Sequence, residues 1–320
     1  MALSLNELLD GLRAAAEPTR LRMLAICAEG ELTVSEITRI LGQSQPRVSR
    51  HLRLLLGAGL LISFREQHWV YYRTPAKGEA AELVHRLLES MSADDETVAL
   101  DRQRLEQVKS ERARAAAAYL RFNAEDWARL RDAEVNATQI NRTILAELAS
   151  APIGDLLDIG TGTGRVLELL GKHAESAVGV DISTQMLLVA RSNLHAAGLK
   201  EVMVRHGDMY QLPFADASFD TVTLDQVLYQ ADQPQAVIAE AARLLRPGGR
   251  ALVVDYARGA EARRASIDPR AAQVGVGEDQ LVEWFSHAGL SAGPMRRIPG
   301  TSLTVLVMTA ARRHHADAAA

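Results

Sequence analysis

The chain has 320 residues, 48% of them hydrophobic and 24% charged, which is globular composition and argues for two domains. Its single cysteine, Cys27, excludes an internal disulfide and any multi-thiolate metal site, and no apolar run approaches a membrane span, so a cytoplasmic protein is expected. The net charge of −4 speaks against a polyanionic partner only until it is divided by segment: residues 39–73 hold six Arg and one acid, Glu66. Such density fits the footprint of duplex DNA, although a solvated helix face fits it equally well.

In chain order, Leu5, Leu8, Leu9 and Leu12 form one apolar helical stripe. Pro18 opens a second helix carrying Leu21, Leu24 and Ile26, with Cys27 read as a buried structural thiol. Thr33-Val34-Ser35-Glu36 is a capping box for a short helix that stops at Gly42. After the turn Gly42-Gln43-Ser44, a further helix is expected to be capped by Ser44 and to run to Gly57 or Gly59. A short helix, a tight turn and a second helix crowded with polar and basic residues make a helix-turn-helix. The side chains expected near DNA are Ser44, Gln45, Arg47, Ser49, Arg50, His51 and Arg53, with His51 and His68 open to reading as DNA-facing or packing residues. Leu60 to Phe64 and Trp69 to Arg73 then read as two strands of a wing that carries Arg65 and His68 at its tip.

The motifs Glu17-Pro18-Thr19-Arg20-Leu21-Arg22, Gln45 to Leu56, Gly59-Leu60-Leu61 and Val70-Tyr71-Tyr72 resemble the winged-helix domain of the ArsR/SmtB transcriptional regulators. The resemblance implies a homodimer on a palindromic double-stranded DNA operator. Where many members carry a Cys-x-Cys metal sensor, this chain reads Glu31-Leu32-Thr33-Val34-Ser35-Glu36, so no metal site is expected there.

Residues 77–150 read as a helical linker. Ala80, Val84, Leu87, Leu88 and Met91 form a stripe suited to a dimer interface, and Val98, Leu105, Val108, Ala115 and Tyr119 form a second. Tyr119, Phe122 and Trp127 gather three of 14 aromatic residues near the next domain, as a lid or as ordinary packing.

From Asp155 onward, short apolar runs alternate with helical stretches, the pattern of a doubly wound parallel sheet. Strand Leu156 to Ile159 leads into Gly160-Thr161-Gly162-Thr163-Gly164, followed by a helix from near Arg165. The strand Ala177 to Val180 ends at Asp181, placed to accept both hydroxyls of a ribose, and Val202 to Arg205 leads to His206-Gly207-Asp208-Met209. Thr221 to Leu224 leads to Asp225-Gln226-Val227-Leu228-Tyr229. Leu244 to Arg250 reads as a helix end and turn before strand Ala251 to Val254, and Leu303 to Val307 as the last strand.

This ordered set resembles the class I S-adenosylmethionine-dependent methyltransferases of the ubiquinone and menaquinone type, over about residues 120–310. The resemblance implies S-adenosylmethionine or S-adenosylhomocysteine as the bound nucleoside. Asp158 and the loop residues Gly160, Thr161, Gly162 and Gly164 would hold the methionine part, Asp181 the ribose, and Asp208 and Met209 the adenine, with Ile182, Met186 and Asp225 completing the set. His206, Asp225, Gln226 and Tyr229 are candidates for contacting a small-molecule methyl acceptor. Nucleobase amino methylation lacks its Asn-Pro-Pro-Tyr loop, and cytosine C5 and arsenite methylation lack their thiols; His314-His315 reads as a frayed end.

The expected chain is thus α plus α/β: a winged helix-turn-helix over 1–76, a helical linker and dimerisation region over 77–150, a Rossmann-like methyltransferase domain over 151–310, and a tail over 311–320. Two functions are compatible with it. One is a DNA-binding regulator biased by the nucleoside; the other is a small-molecule methyltransferase that its first domain autoregulates, anchors or dimerises.

Overall fold

The computed structural model describes residues 3–92, 95–122, 137–258, 275–300 and 303–313. The chain divides into two compact units, residues 1–115 and 116–320.

In the first unit, α1 (Leu5–Ala15) starts from a Ser4/Glu7 capping box, and α2 (Pro18–Cys27) carries proline in its first turn. The expected Thr33/Glu36 capping box opens α3 (Val34–Leu41), and Gly42 ends it in the left-handed region at φ 64°, where a Cβ would be strained. The next helix, α4 (Gln45–Gly57), has Ser44 at its N-cap in extended backbone, but the serine makes no capping hydrogen bond, contrary to expectation. Strands β2 (Ile62–Glu66) and β3 (Trp69–Arg73) pair antiparallel around Gln67 and His68, and the short β1 (Leu32–Thr33) pairs with β3 to complete the wing sheet. Met23, Leu24, Ile37, Ile40, Val48, Leu52 and Leu55 form the core beneath the helix-turn-helix. Cys27 is buried there, and desolvation pushes its thiol up to about 12, as befits an inert packing residue.

The helical stretch expected over 77–150 is shared between the units. Helix α5 (Glu79–Glu89) buries Val84 against the first core. Helix α6 (Glu96–Phe122) buries Asp101, Leu105 and Val108 on one face, and this stripe continues to Ala116 while Ala115 is exposed. The expected stripe is therefore one residue out of step at its end, because the 3.6-residue helical period drifts from a heptad. Helix α7 (Ala137–Leu148) belongs to the second unit, whose sheet it covers with Ile140, Ile144 and Leu148.

That sheet has seven strands in the order β6-β5-β4-β7-β8-β10-β9, built from β4 (Asp155–Ile159), β5 (Ser176–Asp181), β6 (Met203–His206), β7 (Phe219–Asp225), β8 (Leu245–Tyr256), β9 (Leu290–Pro299) and β10 (Thr304–Arg312). The first five are parallel, while β10 runs antiparallel between β8 and β9, so the sheet is mixed. Arg246 to Gly249, expected as a turn, lies within β8 as an irregularity: Phe219 pairs with Leu245, and Thr221 already with Arg250.

Alternate residues of the strands pack on opposite layers. Leu157, Val178 and Val222 face α10 (Pro234–Leu244) and α11 (Glu278–His287), while Leu156, Ala177 and Val204 face α7, α8 (Arg165–Leu170) and α9 (Thr184–Ala196). From β4 the chain steps outward to β5 and β6, then returns to the other side of β4 as β7. The carboxyl ends flanking that reversal are where a doubly wound sheet opens a crevice.

Candidate functional site

The crevice is a cleft of about 370 Å³ lined by Gly160, Val180, Asp181, Ile182, Gly207, Asp208, Met209, Tyr210, Gln226, Val227 and Gln230. Its size falls in the range of small-molecule sites, about 300–1,000 Å³. Five residues expected to bind cofactor line it: Gly160, Asp181, Ile182, Asp208 and Met209. Gly160 (φ 69°) passes so close to the loop after β7 that a Cβ there would lie 2.5 Å from Val227 Cγ2. Each Asp181 oxygen accepts one backbone amide, Oδ2 from Gly162 at 2.9 Å and Oδ1 from Ser183 at 2.8 Å, which leaves lone pairs on both. The Asp208 carboxylate accepts the Tyr210 amide at 3.0 Å, and Ile182 is 66% exposed beside the cleft.

The remaining expected residues stand behind or beside this lining. Asp158 is buried under the loop and accepts the Thr223 hydroxyl at 2.7 Å; burial pushes its carboxyl up to about 7. Thr161, Gly162 and Gly164 continue the loop, and Met186 donates its amide to Ser183 Oγ at 3.3 Å. Asp225 takes part in an ion pair absent from the sequence reading: Arg165 Nη2 meets its Oδ2 at 2.6 Å while Arg165 Nη1 donates to Asn141 Oδ1 of α7 at 2.6 Å. The other oxygen, Asp225 Oδ1, is buried with no hydrogen-bond partner among the described residues.

Of the acceptor candidates, only Gln226 lines the cleft. It has left-handed backbone (φ 55°) and its Oε1 accepts the Tyr256 hydroxyl at 3.0 Å. Tyr229 packs edge-on against Tyr256, with centroids 5.2 Å apart, and His206 ends β6 opposite Asp181 in register. Asp255 was missed by sequence reasoning. Wholly buried, it accepts the amides of Leu228 at 2.8 Å and Tyr229 at 3.3 Å, fixing the loop that carries Gln226 and Gln230. Burial pushes its carboxyl up to about 7. An acid inside an apolar strand run marks such a role, and Leu252-Val253-Val254-Asp255 carries that signal. Tyr210, Gln230 and Val227 carried none.

In the first unit, Ser44, Gln45, Arg47, Arg50 and Arg53 are exposed on α4 and Ser49 is half-buried, while Val48, Leu52 and Leu55 face the core. His51 shares that inner face, one turn from Val48 and Leu55, and its Nδ1 lies 3.6 Å from Glu17 Oε2. It is thus a packing residue and separates from the exposed row. Arg53 lines a shallow hollow with Asp10, Arg13, Arg20 and Leu54. On the wing, Arg65 folds its Nε onto the Gln67 carbonyl at 3.0 Å, and His68 and Trp69 are exposed. Trp127 of the expected lid and His314-His315 lie outside the described residues.

Two family models match the chain: "Bacterial regulatory protein, arsR family" over residues 17–63 and "Methyltransferase domain" over residues 157–253. A phosphatidylethanolamine N-methyltransferase of Cereibacter sphaeroides is 36% identical over 104 residues, 32% of this chain and 51% of that protein. A ubiquinone/menaquinone biosynthesis C-methyltransferase of Desulfotalea psychrophila is 34% identical over 116 residues, 36% of this chain and 46% of that one. The chain spans about half the length of these curated relatives. Among solved structures, the YcgJ protein of Bacillus subtilis matches with a TM-score of 0.48 at 18% identity, covering 55% of this chain and 99% of that one. No helix among the described residues is long and apolar enough to cross a membrane. The polypeptide therefore carries an arsR-family helix-turn-helix domain followed by a class I methyltransferase domain homologous to S-adenosylmethionine-dependent methyltransferases.

Proposed function

We propose that the protein is a DNA-binding transcriptional regulator whose second unit binds S-adenosylmethionine or S-adenosylhomocysteine and thereby biases operator binding. The observation that carries this reading is the presence of two built sites on one chain: an exposed arginine row on α4 and a nucleoside-sized cleft with Asp181 at its wall. The cleft fits the nucleoside. Asp181 has a lone pair available on each oxygen for two ribose hydroxyls, Ile182 offers an apolar face to a base, and Asp208 on the cleft wall offers an acceptor to an adenine amino group. The bare backbone of Gly160 permits close approach of the methionine part, with Asp158 and the loop behind it.

On the DNA side, Gln45, Arg47 and Arg50 occupy the start of the recognition helix, with Ser44, Ser49 and Arg53 beside them and Arg65 and His68 on the wing. A homodimer would cover Leu5, Leu9 and Leu12 of α1, which are 73%, 36% and 39% exposed along one face. A two-fold dimer would give a palindromic operator. Gel shifts with no ligand, with S-adenosylmethionine and with S-adenosylhomocysteine test the reading: operator affinity is expected to change with at least one nucleoside, and identical affinity in all three overturns it.

A second reading is an active small-molecule methyltransferase that the first unit autoregulates, anchors or dimerises. Gln226 and Gln230 on the cleft wall, with the unsatisfied Asp225 Oδ1 nearby in sequence, supply polar groups beyond those the nucleoside needs. Release of homocysteine-derived product across candidate acceptors tests it; tight nucleoside binding without turnover favours the regulator.

A further inference from the structure

Both ends of α3, the helix before the turn, close on α6. At its start, the Glu36 carboxylate of the capping box also meets Arg112 of α6, with Nη2 to Oε2 at 2.6 Å and Nε to Oε1 at 2.8 Å, and Arg112 Nη1 reaches the Glu31 carbonyl at 3.0 Å. Burial disfavours the Glu36 charge, but Arg112 and Thr33 outweigh it and hold its carboxyl below the usual range. At the other end, the last carbonyls of a helix lack intrahelical donors. Here Arg104 of α6 donates to the Ile40 carbonyl at 3.0 Å, and Arg22 donates to the Leu41 carbonyl at 3.2 Å while held by Asp101 of α6 at 2.6 and 2.7 Å. Arg104 also covers the turn itself, since its Nη1 lies 3.3 Å from where a Cβ on Gly42 would sit. Leu105 and Val108 insert into the helix-turn-helix core between these polar contacts.

We infer that Arg104 and Arg112 are positioning residues for DNA recognition, and that α6 is the element through which the second unit biases the recognition helix. The regulatory half of this inference rests on the function proposed above. Contacts from residue 101 to residue 112 fix the register of α6 against α2 and α3 over three turns, so α6 cannot slide or rotate without moving the turn that aims α4. The same unbroken helix continues to Phe122, past residue 115 where the first unit ends. A ligand that favours one placement of α6 therefore favours one placement of α4, which is the differential interaction that linkage requires.

The test uses the full chain, an operator duplex selected on it from a random library, and S-adenosylhomocysteine as the probe ligand. Arg104→Met removes one contact. Glu36→Gln with Arg112→Met removes a charge pair together and keeps an amide able to complete the capping box. Circular dichroism and nucleoside affinity are expected to match the wild type. Operator affinity is expected to fall about tenfold, and the ratio of affinities with and without S-adenosylhomocysteine to approach one. The salt dependence of binding is expected to stay unchanged, because neither arginine touches a phosphate.

Wild-type affinity with the ligand effect intact overturns the inference, as does a salt slope lowered by about one per arginine, which marks a direct phosphate contact. If a variant fails to fold, Arg112→Lys, which keeps the charge but loses the forked geometry, decides the same question. A wild-type protein that binds the operator but ignores the nucleoside overturns the regulatory reading; the positioning role is then judged on ligand-free affinity alone.

Discussion

Arginines do opposite work in two regions of this molecule. On α4, Arg47, Arg50 and Arg53 are exposed, and no ion pair holds them among the described residues. In the second unit, Arg165 is locked between Asp225 and Asn141, and Arg246 between Asp155 and Asp220 at 2.9 and 2.5 Å. The first arrangement leaves charge for an external polyanion. The second spends its charge internally, so that the groups left over at the cleft are carboxylates and amides suited to a neutral ribose and base. Net charge alone hides this division, because the acidic second unit outweighs the bare row.

The contrast breaks most sharply at Asp181. Asp181→Ala removes the acceptor proposed for two ribose hydroxyls, each bond to a charged group being worth about 1.5–3 kcal/mol. Calorimetry should show nucleoside affinity falling at least about tenfold, while ligand-free DNA binding stays intact. Unchanged affinity would remove Asp181 from the cleft's chemistry. The complementary change, Arg50→Ala, should weaken operator binding by about 1–3 kcal/mol if the guanidinium reads a base, or lower the salt slope by about one if it holds a phosphate, with nucleoside affinity untouched in both cases.

A smaller effect is expected on α1. Leu9→Ser with Leu12→Ser removes two exposed apolar side chains that contribute little to the monomer's core, so folding should survive while the proposed homodimer, if α1 forms its interface, dissociates at a higher concentration. Sedimentation at graded concentrations measures this, and an unchanged dimer would place the interface elsewhere.

What was legible in the sequence was local. The Thr33/Glu36 capping box, the Gly42 stop and the alternation of short apolar runs with helices all act within a few residues of themselves, and each became the expected element. The position of Gly160 and Asp181 on the cleft wall was legible because strand-end position at a sheet reversal constrains residue type. What escaped was long-range pairing. Glu36 finds Arg112 across 76 positions, Arg165 finds Asp225 across 60, and nothing in either neighbourhood announces the partner. Strand β9 escaped for a different reason: its mostly exposed residues form an edge whose alternation is carried by small and charged side chains, so no apolar period marks it. For His51 both readings stayed open in the sequence, and its place one turn from two buried residues favours packing.

The last contrast concerns protons. The second unit buries two carboxyls, Asp158 and Asp255, each pushed up to about 7 by desolvation. An unfolded aspartate titrates near about 3.9, so the folded state holds these protons more tightly. Their contribution to stability is therefore complete below about pH 4 and is lost as pH rises through about 7. The melting midpoint of the second unit should fall between pH 5 and pH 8. Asp158→Asn keeps an oxygen to accept the Thr223 hydroxyl and removes the charge that burial disfavours. Its midpoint should exceed the wild type's by several degrees at pH 8, by less at pH 5, and match it only below about pH 4. A variant that loses stability equally at pH 8 and pH 5 would overturn this reading, because a carboxyl kept neutral by burial is outperformed by the amide increasingly as pH rises.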